Sequence, residues 1–187
     1  MGMDKRSLRT HFLALRRGIN AAERSGFDRV ICENVRSLDC WRGAECVALY
    51  ASDGEEPDLS GLFKEEGKGF YFPRWNAEEE AYDLVRVESL ERELVRGRFG
   101  LLEPDPGLPA ASSGEWARML VLTPAVACDR GGVRLGRGGG FYDRMLARCG
   151  GPAVGIVYAC QLAESLPREP HDRKVAFAVT EEGVLRF

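Results

Sequence analysis

Residues 119–143 read MLVLTPAVACDRGGVRLGRGGGFYD, and this stretch decides the fold. Its first nine residues are almost entirely apolar, which is typical of a strand buried on both faces of a parallel sheet. We expect the strand to end at Pro124, because proline cannot donate a hydrogen bond to a central ladder. A glycine-rich loop follows, and residues 141–148 are predicted to form a helix that closes near Gly150. A buried strand, a loop and a helix in this order indicate an α/β protein.

The flanking segments continue the alternation of helices and strands. One amphipathic helix is predicted after Asp4, which is a good cap, and a second begins at Asn20, where Glu23 completes a capping box. The apolar stripe of the first helix is formed by Leu8, Phe12, Leu15 and Ile19. Further strands are predicted at residues 46–50, 69–72, 82–87, 153–158 and 175–180.

Two connecting segments complete the prediction. Pro57 suits the first turn of a helix that continues to about Glu66, and residues 96–114 are expected to be an extended loop held down by neighbouring strands. The expected fold is a single domain over residues 1–187, a three-layer α/β/α sandwich with a mainly parallel, Rossmann-like central sheet.

The amino-acid composition argues against several classes of function. The 187 residues include 26 basic and 29 acidic side chains, a net charge of −3, so diffuse attraction to nucleic acid or an anionic membrane is not expected. The sequence lacks the apolar core of a signal peptide and any run of membrane-spanning length, which favours the cytoplasm. Six scattered cysteines without a CxxC pair, and only two histidines, argue against a zinc site.

The loop RLGRGGGFYD, residues 134–143, is suited to binding an anion. Its glycines allow close backbone approach, successive amides can form a nest, and the following helix N-terminus adds positive charge. Arg134 and Arg137 add charged forks for phosphate oxygens. The spacing matches neither a Walker loop nor a dinucleotide GxGxxG motif. A flexible turn is the alternative interpretation. Asp143 can be either a helix-start carboxylate or a Mg²⁺ ligand.

The first helix carries a row of cations beside its apolar stripe. Lys5, Arg9 and Arg16 lie on one side because residues four and seven apart share a helical face. Lys5 and Arg6 oppose the helix dipole in the first turn, an effect that a bound anion would offset. A solvated basic surface remains the alternative.

Taken together, these segments resemble the 5-formyltetrahydrofolate cyclo-ligase family. The resemblance covers nearly the whole chain, and the decapeptide at residues 134–143 is its most specific part. The matching segments, in family order, are KRSLR at 5–9, a strand and acidic pair at 50–56, FPRW at 72–75, LLEP at 101–104, RLGRGGGFYD at 134–143 and HD at 171–172. Positions that differ from common family residues are Leu59, Ala125 and, relative to some members, Gly139.

The resemblance implies ATP- and Mg²⁺-dependent cyclisation of 5-formyltetrahydrofolate, in its simple or polyglutamylated form, to 5,10-methenyltetrahydrofolate by a monomer. A phosphorylated imidate would be the intermediate. The implied catalytic residues are Lys5, Arg134 and Arg137. The implied ATP-binding residues are Lys5, Arg6, Arg9, Arg134, Gly136, Arg137, Gly138, Gly139, Gly140, Phe141 and Tyr142. The implied substrate-binding residues are Arg9, Ala51, Glu56, Trp75, Gly138 and Tyr142. The implied Mg²⁺ ligands are Asp143 and Asp172.

Several of these residues also have simpler interpretations. Glu56 could be only a helix-start carboxylate before Pro57, and Trp75 or Tyr142 could be core aromatics. Two other functions remain open: a folate- or nucleotide-binding protein without ligase activity, and an α/β isomerase or transferase that holds a substrate phosphate in the glycine loop.

Overall fold

The computed structural model of the chain describes residues 4–98 and 100–187. The helices are α1 (Lys5–Arg17), α2 (Ala21–Ser37), α3 (Asp39–Gly43), α4 (Leu90–Glu93), α5 (Ser113–Arg118) and α6 (Phe141–Arg148). The strands are β1 (Cys46–Ala48), β2 (Gly69–Asn76), β3 (Ala81–Val87), β4 (Leu94–Arg96), β5 (Leu102–Pro104), β6 (Leu120–Pro124), β7 (Ala127–Asp129), β8 (Arg134–Leu135), β9 (Ala153–Ile156), β10 (Leu162–Ala163), β11 (Phe177–Thr180) and β12 (Gly183–Arg186). Short 3₁₀ turns lie at Ser60–Leu62 and Ala159–Gln161.

A seven-stranded sheet in the order β12-β11-β9-β6-β1-β2-β3 forms the centre of the molecule. Its five inner strands run parallel to one another, and β12 and β3 pair antiparallel at the two edges. Two smaller sheets accompany it, β10-β7-β8 and β4-β5. The expectation of a mainly parallel central sheet is confirmed.

Both faces of the central sheet are covered by helices. Along β1, Val47 packs with Ile31 and Val35 of α2, whereas Ala48 belongs to a second core with Trp116 of α5 and Met145 of α6. Successive strand side chains point to opposite faces, so a strand that is apolar at every position serves two cores at once. The three-layer arrangement follows from this pattern.

The N-terminal helices begin as predicted. The Asp4 carboxylate accepts a hydrogen bond from the Ser7 amide at 2.7 Å, and Asn20 accepts one from the Glu23 amide at 2.9 Å. No helix in the described part of the chain combines the length and the apolar composition that crossing a bilayer demands.

The predicted apolar stripe of α1 is wrong at one position. Leu15 is 41% exposed, whereas the neighbouring Arg16 is only 1% exposed. The reason lies in what α1 packs against: Phe12 contacts the small sheet around β7 and β8, and Arg16 faces a group of carboxylates. The face of α1 that carries Arg16 therefore points toward the interior, because Arg16 pairs with carboxylates there.

The helix predicted from Pro57 to Glu66 is also wrong, since only the Ser60–Leu62 turn forms there. The Pro57 carbonyl accepts a hydrogen bond from the Tyr50 hydroxyl at 2.8 Å, and the Asp58 carboxylate accepts one from the Ser60 amide at 2.9 Å. Side chains thus compete with the backbone hydrogen bonds that a helix would need.

Residues 96–114 are largely irregular, as expected, but they contain β5 and the start of α5. A capping box between Ser112 and Glu115 begins α5. Arg74 of β2 donates to the Leu108 carbonyl at 2.7 Å and the Asp105 carbonyl at 2.9 Å, so neighbouring strands do hold the segment down.

Candidate active site

A cavity of about 970 Å³ opens at the carboxyl ends of the parallel strands. Tyr50 and Ala51 line it just beyond β1, and Ala125 and Val126 line it just beyond β6. Parallel α/β sheets bind ligands at this edge. The glycine-rich loop between β8 and α6 forms a further wall of the same cavity.

The loop adopts a backbone that requires glycine at two positions. Gly138 has φ of 108° and Gly140 has φ of 65°, both in the left-handed region that other residues avoid. Gly140 is the N-cap of α6. The Arg9 guanidinium lies against Gly138, and its Nε donates to the Gly136 carbonyl at 2.8 Å. The glycines therefore admit a cation from α1 into close contact with the loop backbone.

Arg134, at the start of the loop, is a buried cation. Its Nη2 donates to Asp143 Oδ1 at 2.8 Å, and the same oxygen accepts the Arg173 amide at 3.1 Å. Its Nε is buried and lacks a hydrogen-bond partner among residues 4–98 and 100–187. Arg134 is therefore a cation paired with Asp143 that keeps one unsatisfied buried donor, which is costly.

Arg137 reaches from the loop to carboxylates beyond β1. Its Nη2 contacts Asp53 Oδ2 and lies 3.0 Å from Glu56 Oε1. Its side chain remains 52% exposed, whereas that of Glu56 is 9% exposed. One end of this ion pair can therefore move and the other is enclosed.

The pKa values of Glu56 and Asp53 are shifted in opposite directions. Burial raises the pKa of Glu56, despite the opposing effect of the Arg137 and Arg16 guanidinium groups. Burial also opposes ionisation of Asp53, but the hydrogen bonds from Arg137 and from the Glu56 and Glu55 amides outweigh it and lower its pKa. Burial therefore favours the neutral form of Glu56, whereas the neighbours of Asp53 hold it ionised.

Lys5 brings the start of α1 to the cavity. Its Nζ lies 2.7 Å from Glu169 Oε2 and 2.8 Å from Asp172 Oδ2. Burial disfavours the Lys5 ammonium, but these two carboxylates outweigh burial and raise its pKa. For Asp172, burial likewise opposes the charge, while Lys5 and the Glu169 amide lower the pKa.

Aromatic rings form an apolar part of the wall. Tyr82, Phe141 and Tyr142 line the cavity, and Phe141 packs edge-on against Tyr82 with ring centroids 5.6 Å apart. Burial raises the pKa of the Tyr142 hydroxyl. These rings offer a surface for a flat heterocycle.

The acidic groups fit a Mg²⁺ ion bound together with phosphates. Asp143 Oδ2 and Asp172 Oδ1 accept no hydrogen bond from any described residue, so each carboxylate keeps one oxygen available. Mg²⁺ takes one or two carboxylates and retains waters. Glu169 and His171 offer further ligand atoms within 4.8 Å of an Asp172 oxygen, a grouping the sequence analysis did not anticipate.

Most of the residues implied by the resemblance meet in this cavity. The described residues that line it include Lys5, Arg9, Ala51, Glu56, Arg134, Gly136, Arg137, Gly138, Gly139, Gly140, Phe141, Tyr142, Asp143 and Asp172. Two others do not belong to this described lining. Arg6 is exposed on α1, and Trp75 packs edge-on behind Phe141 with ring centroids 5.1 Å apart.

Sequence reasoning missed the roles of Arg16 and Asp53. The sequence pattern places Arg16 only on a basic helical face and includes Asp53 only within the matching segment 50–56. Both belong to the charged group around Glu56. Three acidic residues within 53–56 of the sequence, close after a buried strand, were the available signal.

Comparison with known proteins shows the family of the chain. Residues 1–181 match the 5-formyltetrahydrofolate cyclo-ligase family. The chain belongs to this family. Family membership makes it an enzyme of the cyclo-ligase type, a ligase of folate and one-carbon metabolism, as the sequence predicted.

Individual cyclo-ligases match over nearly their full length. The 5-formyltetrahydrofolate cyclo-ligase of Mycolicibacterium smegmatis is 34% identical over 185 residues, covering 95% of this chain and 93% of the relative. That of Haemophilus influenzae is 30% identical, covering 92% and 95%. The NMR structure of Aquifex aeolicus 5,10-methenyltetrahydrofolate synthetase superposes with a TM-score of 0.84 at 35% identity, covering 98% of this chain and 93% of that one. The cyclo-ligase fold is therefore shared.

Proposed function

We propose that this protein uses ATP to convert 5-formyltetrahydrofolate into 5,10-methenyltetrahydrofolate, with ADP and phosphate as the other products. The observation that carries the proposal is the mixed lining of one cavity. Glycine-loop amides and cations line it together with the enclosed Glu56 and aromatic rings. A polyanion and a flat, amino-bearing heterocycle could bind there side by side.

The triphosphate would bind along the glycine loop. Lys5, Arg9, Arg134 and Arg137 carry positive charge into this part of the cavity, and the loop amides add donors without charge. Each of the four cations already contacts an acidic group or a carbonyl. Lys5, Arg9 and Arg134 are also partly or fully enclosed, so they are held in place before the nucleotide arrives, which favours preorganised stabilisation of transferring charge.

The folate would bind toward Glu56 and the aromatic rings. An ionised carboxylate accepts hydrogen bonds only, so Glu56 suits the amino edge of a pterin. Tyr82, Phe141 and Tyr142 would contact the ring faces. The formyl group would then lie between this end and the glycine loop.

The chemistry we propose needs no general base for its first step. The oxygen of the N5-formyl group attacks the γ-phosphorus of ATP. The bond between this phosphorus and the ADP oxygen breaks, and a phosphorylated imidate results. N10 then attacks the formyl carbon, loses its proton, and expels phosphate as the methenyl bridge forms. The first step depends on alignment and charge neutralisation, which the arginines and Lys5 provide.

A Mg²⁺ ion bound with ATP would supply further neutralisation of the phosphate charge. Asp143 and Asp172 are the residues we propose to hold it. Their remaining contacts, Arg134 to Asp143 and Lys5 to Asp172, orient both carboxylates toward the cavity.

The test is a spectroscopic cyclisation assay. Purified protein with Mg-ATP and 5-formyltetrahydrofolate is expected to generate the near-ultraviolet absorbance of the methenyl product, together with stoichiometric ADP. A non-hydrolysable ATP analogue serves as the matched control and should give no product. Calorimetric binding of both ligands without turnover would instead indicate a binding protein, and binding of phosphosugars without ATP would favour an isomerase or transferase.

A further inference from the structure

Arg16 is a buried cation that the proposed chemistry does not use. Its side chain is 1% exposed, although it lies on the solvent-facing first helix between Leu15 and Arg17, which are both exposed. Burying a guanidinium is costly unless anions and hydrogen bonds compensate. The groups around Arg16 should therefore explain why its side chain is buried.

Three carboxylates of the loop after β1 surround Arg16. Its Nη2 lies 3.2 Å from Glu55 Oε2 and 3.7 Å from Asp53 Oδ2, and its Nη1 lies 3.8 Å from Glu56 Oε1. Only the contact with Glu55 is a hydrogen bond. Nε and Nη1 are buried and have no hydrogen-bond partner in the described part of the chain. Arg16 thus holds spare donors close to Glu56.

Arg137 competes for the same anions. Glu56 Oε1 lies 3.0 Å from Arg137 Nη2 and 3.8 Å from Arg16 Nη1, so the exposed arginine is the closer partner. Arg137 is also the one that belongs to the glycine loop and can turn toward a phosphate. If it does so, Asp53 and Glu56 lose their principal hydrogen-bonding cation while remaining enclosed.

We propose that Arg16 is a positioning residue that takes over Asp53 and Glu56 when Arg137 turns to the phosphates of ATP. The inference rests on the proposed function. The enclosed Glu56 needs a shift of less than 1 Å to bring its oxygen from 3.8 Å to hydrogen-bond distance of Arg16 Nη1. Nucleotide binding then leaves the folate-contacting carboxylate ionised and oriented.

The charge on Glu56 depends on this exchange. Charged and titratable groups from every adjoining segment face it: Arg16, Tyr50, Asp53, Arg137 and Tyr142. Of these groups, the two arginines favour its ionised form. Without Arg16, the departure of Arg137 would leave burial and Asp53 to promote protonation, and the pterin amino edge would lose its acceptor.

The experiment measures the affinity for 5-formyltetrahydrofolate by calorimetry, with and without a saturating non-hydrolysable ATP analogue. In the wild type we expect the two dissociation constants to agree within about twofold. In Arg16→Met we expect roughly tenfold weaker folate binding when the analogue is present than when it is absent, a typical coupling between sites. Arg16→Lys, which keeps the charge, should restore part of the loss.

Arg17→Met is the matched control. Arg17 is the next residue on the helix and contacts the same Glu55, with Nε 3.1 Å from Oε1, but it is 63% exposed. Its replacement should leave both dissociation constants unchanged. Arg16→Gln, neutral but still a donor, supplies a second variant where the methionine variant does not fold, and it should show the same nucleotide-dependent loss.

The outcomes separate the two proposals. A wild-type protein that forms no methenyl product overturns the proposed function. Wild-type turnover combined with Arg16 variants that bind folate equally well, or equally poorly, with and without the analogue overturns the role of Arg16. A loss confined to the nucleotide-bound state supports it.

Discussion

Replacing Gly138 with alanine should separate the backbone requirement of the glycine loop from its role in binding ATP. Gly138 has φ of 108°, so any side chain is strained there. An added Cβ would also lie 3.3 Å from Arg9 Cζ and 3.5 Å from Nη2, which crowds the guanidinium. The substitution thus affects both stability and the position of a cation.

The two effects change different measurable quantities, the melting temperature and KM for ATP. Backbone strain of this kind costs about 1–3 kcal/mol, which for a chain of this length lowers the melting temperature by about 2–12 °C. Displacing Arg9 endangers its 2.8 Å hydrogen bond to the Gly136 carbonyl. In the proposed complex the displaced guanidinium would also lose its hydrogen bond to an ATP phosphate, and a lost hydrogen bond from a charged donor costs about 1.5–3 kcal/mol, so KM for ATP should rise by at least about tenfold.

Gly67→Ala provides the control for strain alone. Gly67 also has a positive φ, 79°, but an added Cβ there meets no described atom within 4 Å, and the residue does not belong to the described cavity lining. We expect both variants to melt at lower temperature in thermal denaturation, and only Gly138→Ala to show raised KM for ATP. Equal kinetics in the two variants, despite similar losses of stability, would refute the placement of ATP phosphates against this loop.

Two further predictions concern charged groups. Arg137→Ala should lower kcat/KM by about 10²–10³-fold, as expected for loss of one charge contact to the transferring phosphoryl group. The fold should be retained because Arg16 still faces Asp53 and Glu56. Steady-state kinetics and circular dichroism test this, with Arg130→Ala at an exposed ion pair as the control, and unchanged kinetics would contradict it. Hydrogen bonds from Tyr71 and Ser112 lower the pKa of Glu115 from 4.5 to about 2, so its ionised form contributes stability that is complete above pH 4.5 and is lost as the pH falls toward 2. Urea unfolding should therefore show Glu115→Gln less stable than the wild type at neutral pH, with the difference shrinking between pH 4.5 and 2; a pH-independent difference would exclude this linkage.

Local patterns accounted for much of the fold. The caps at Asp4 and Asn20, the apolar strand after Met119 and the helix after the glycines all depend on residues close together in sequence, and they form as predicted. The Ser112–Glu115 capping box is equally visible in the sequence, but Ser112 lies in the segment 96–114 that is predicted to be a loop. The helix expected after Pro57 failed because Tyr50, a residue from the preceding strand end, takes the Pro57 carbonyl.

The sequence by itself determined the family, the layered α/β architecture and the glycine loop as an anion cradle, because these depend on periodicity, on apolar runs and on contiguous residues. Only the tertiary structure decided that Arg16 is buried while Leu15 is exposed, and that Arg16 and Arg137 share Asp53 and Glu56. These partners are separated by up to 84 residues along the chain. Their pairing depends on α1 lying across the carboxyl end of the sheet, and a desolvated charge is stable only where such distant partners meet.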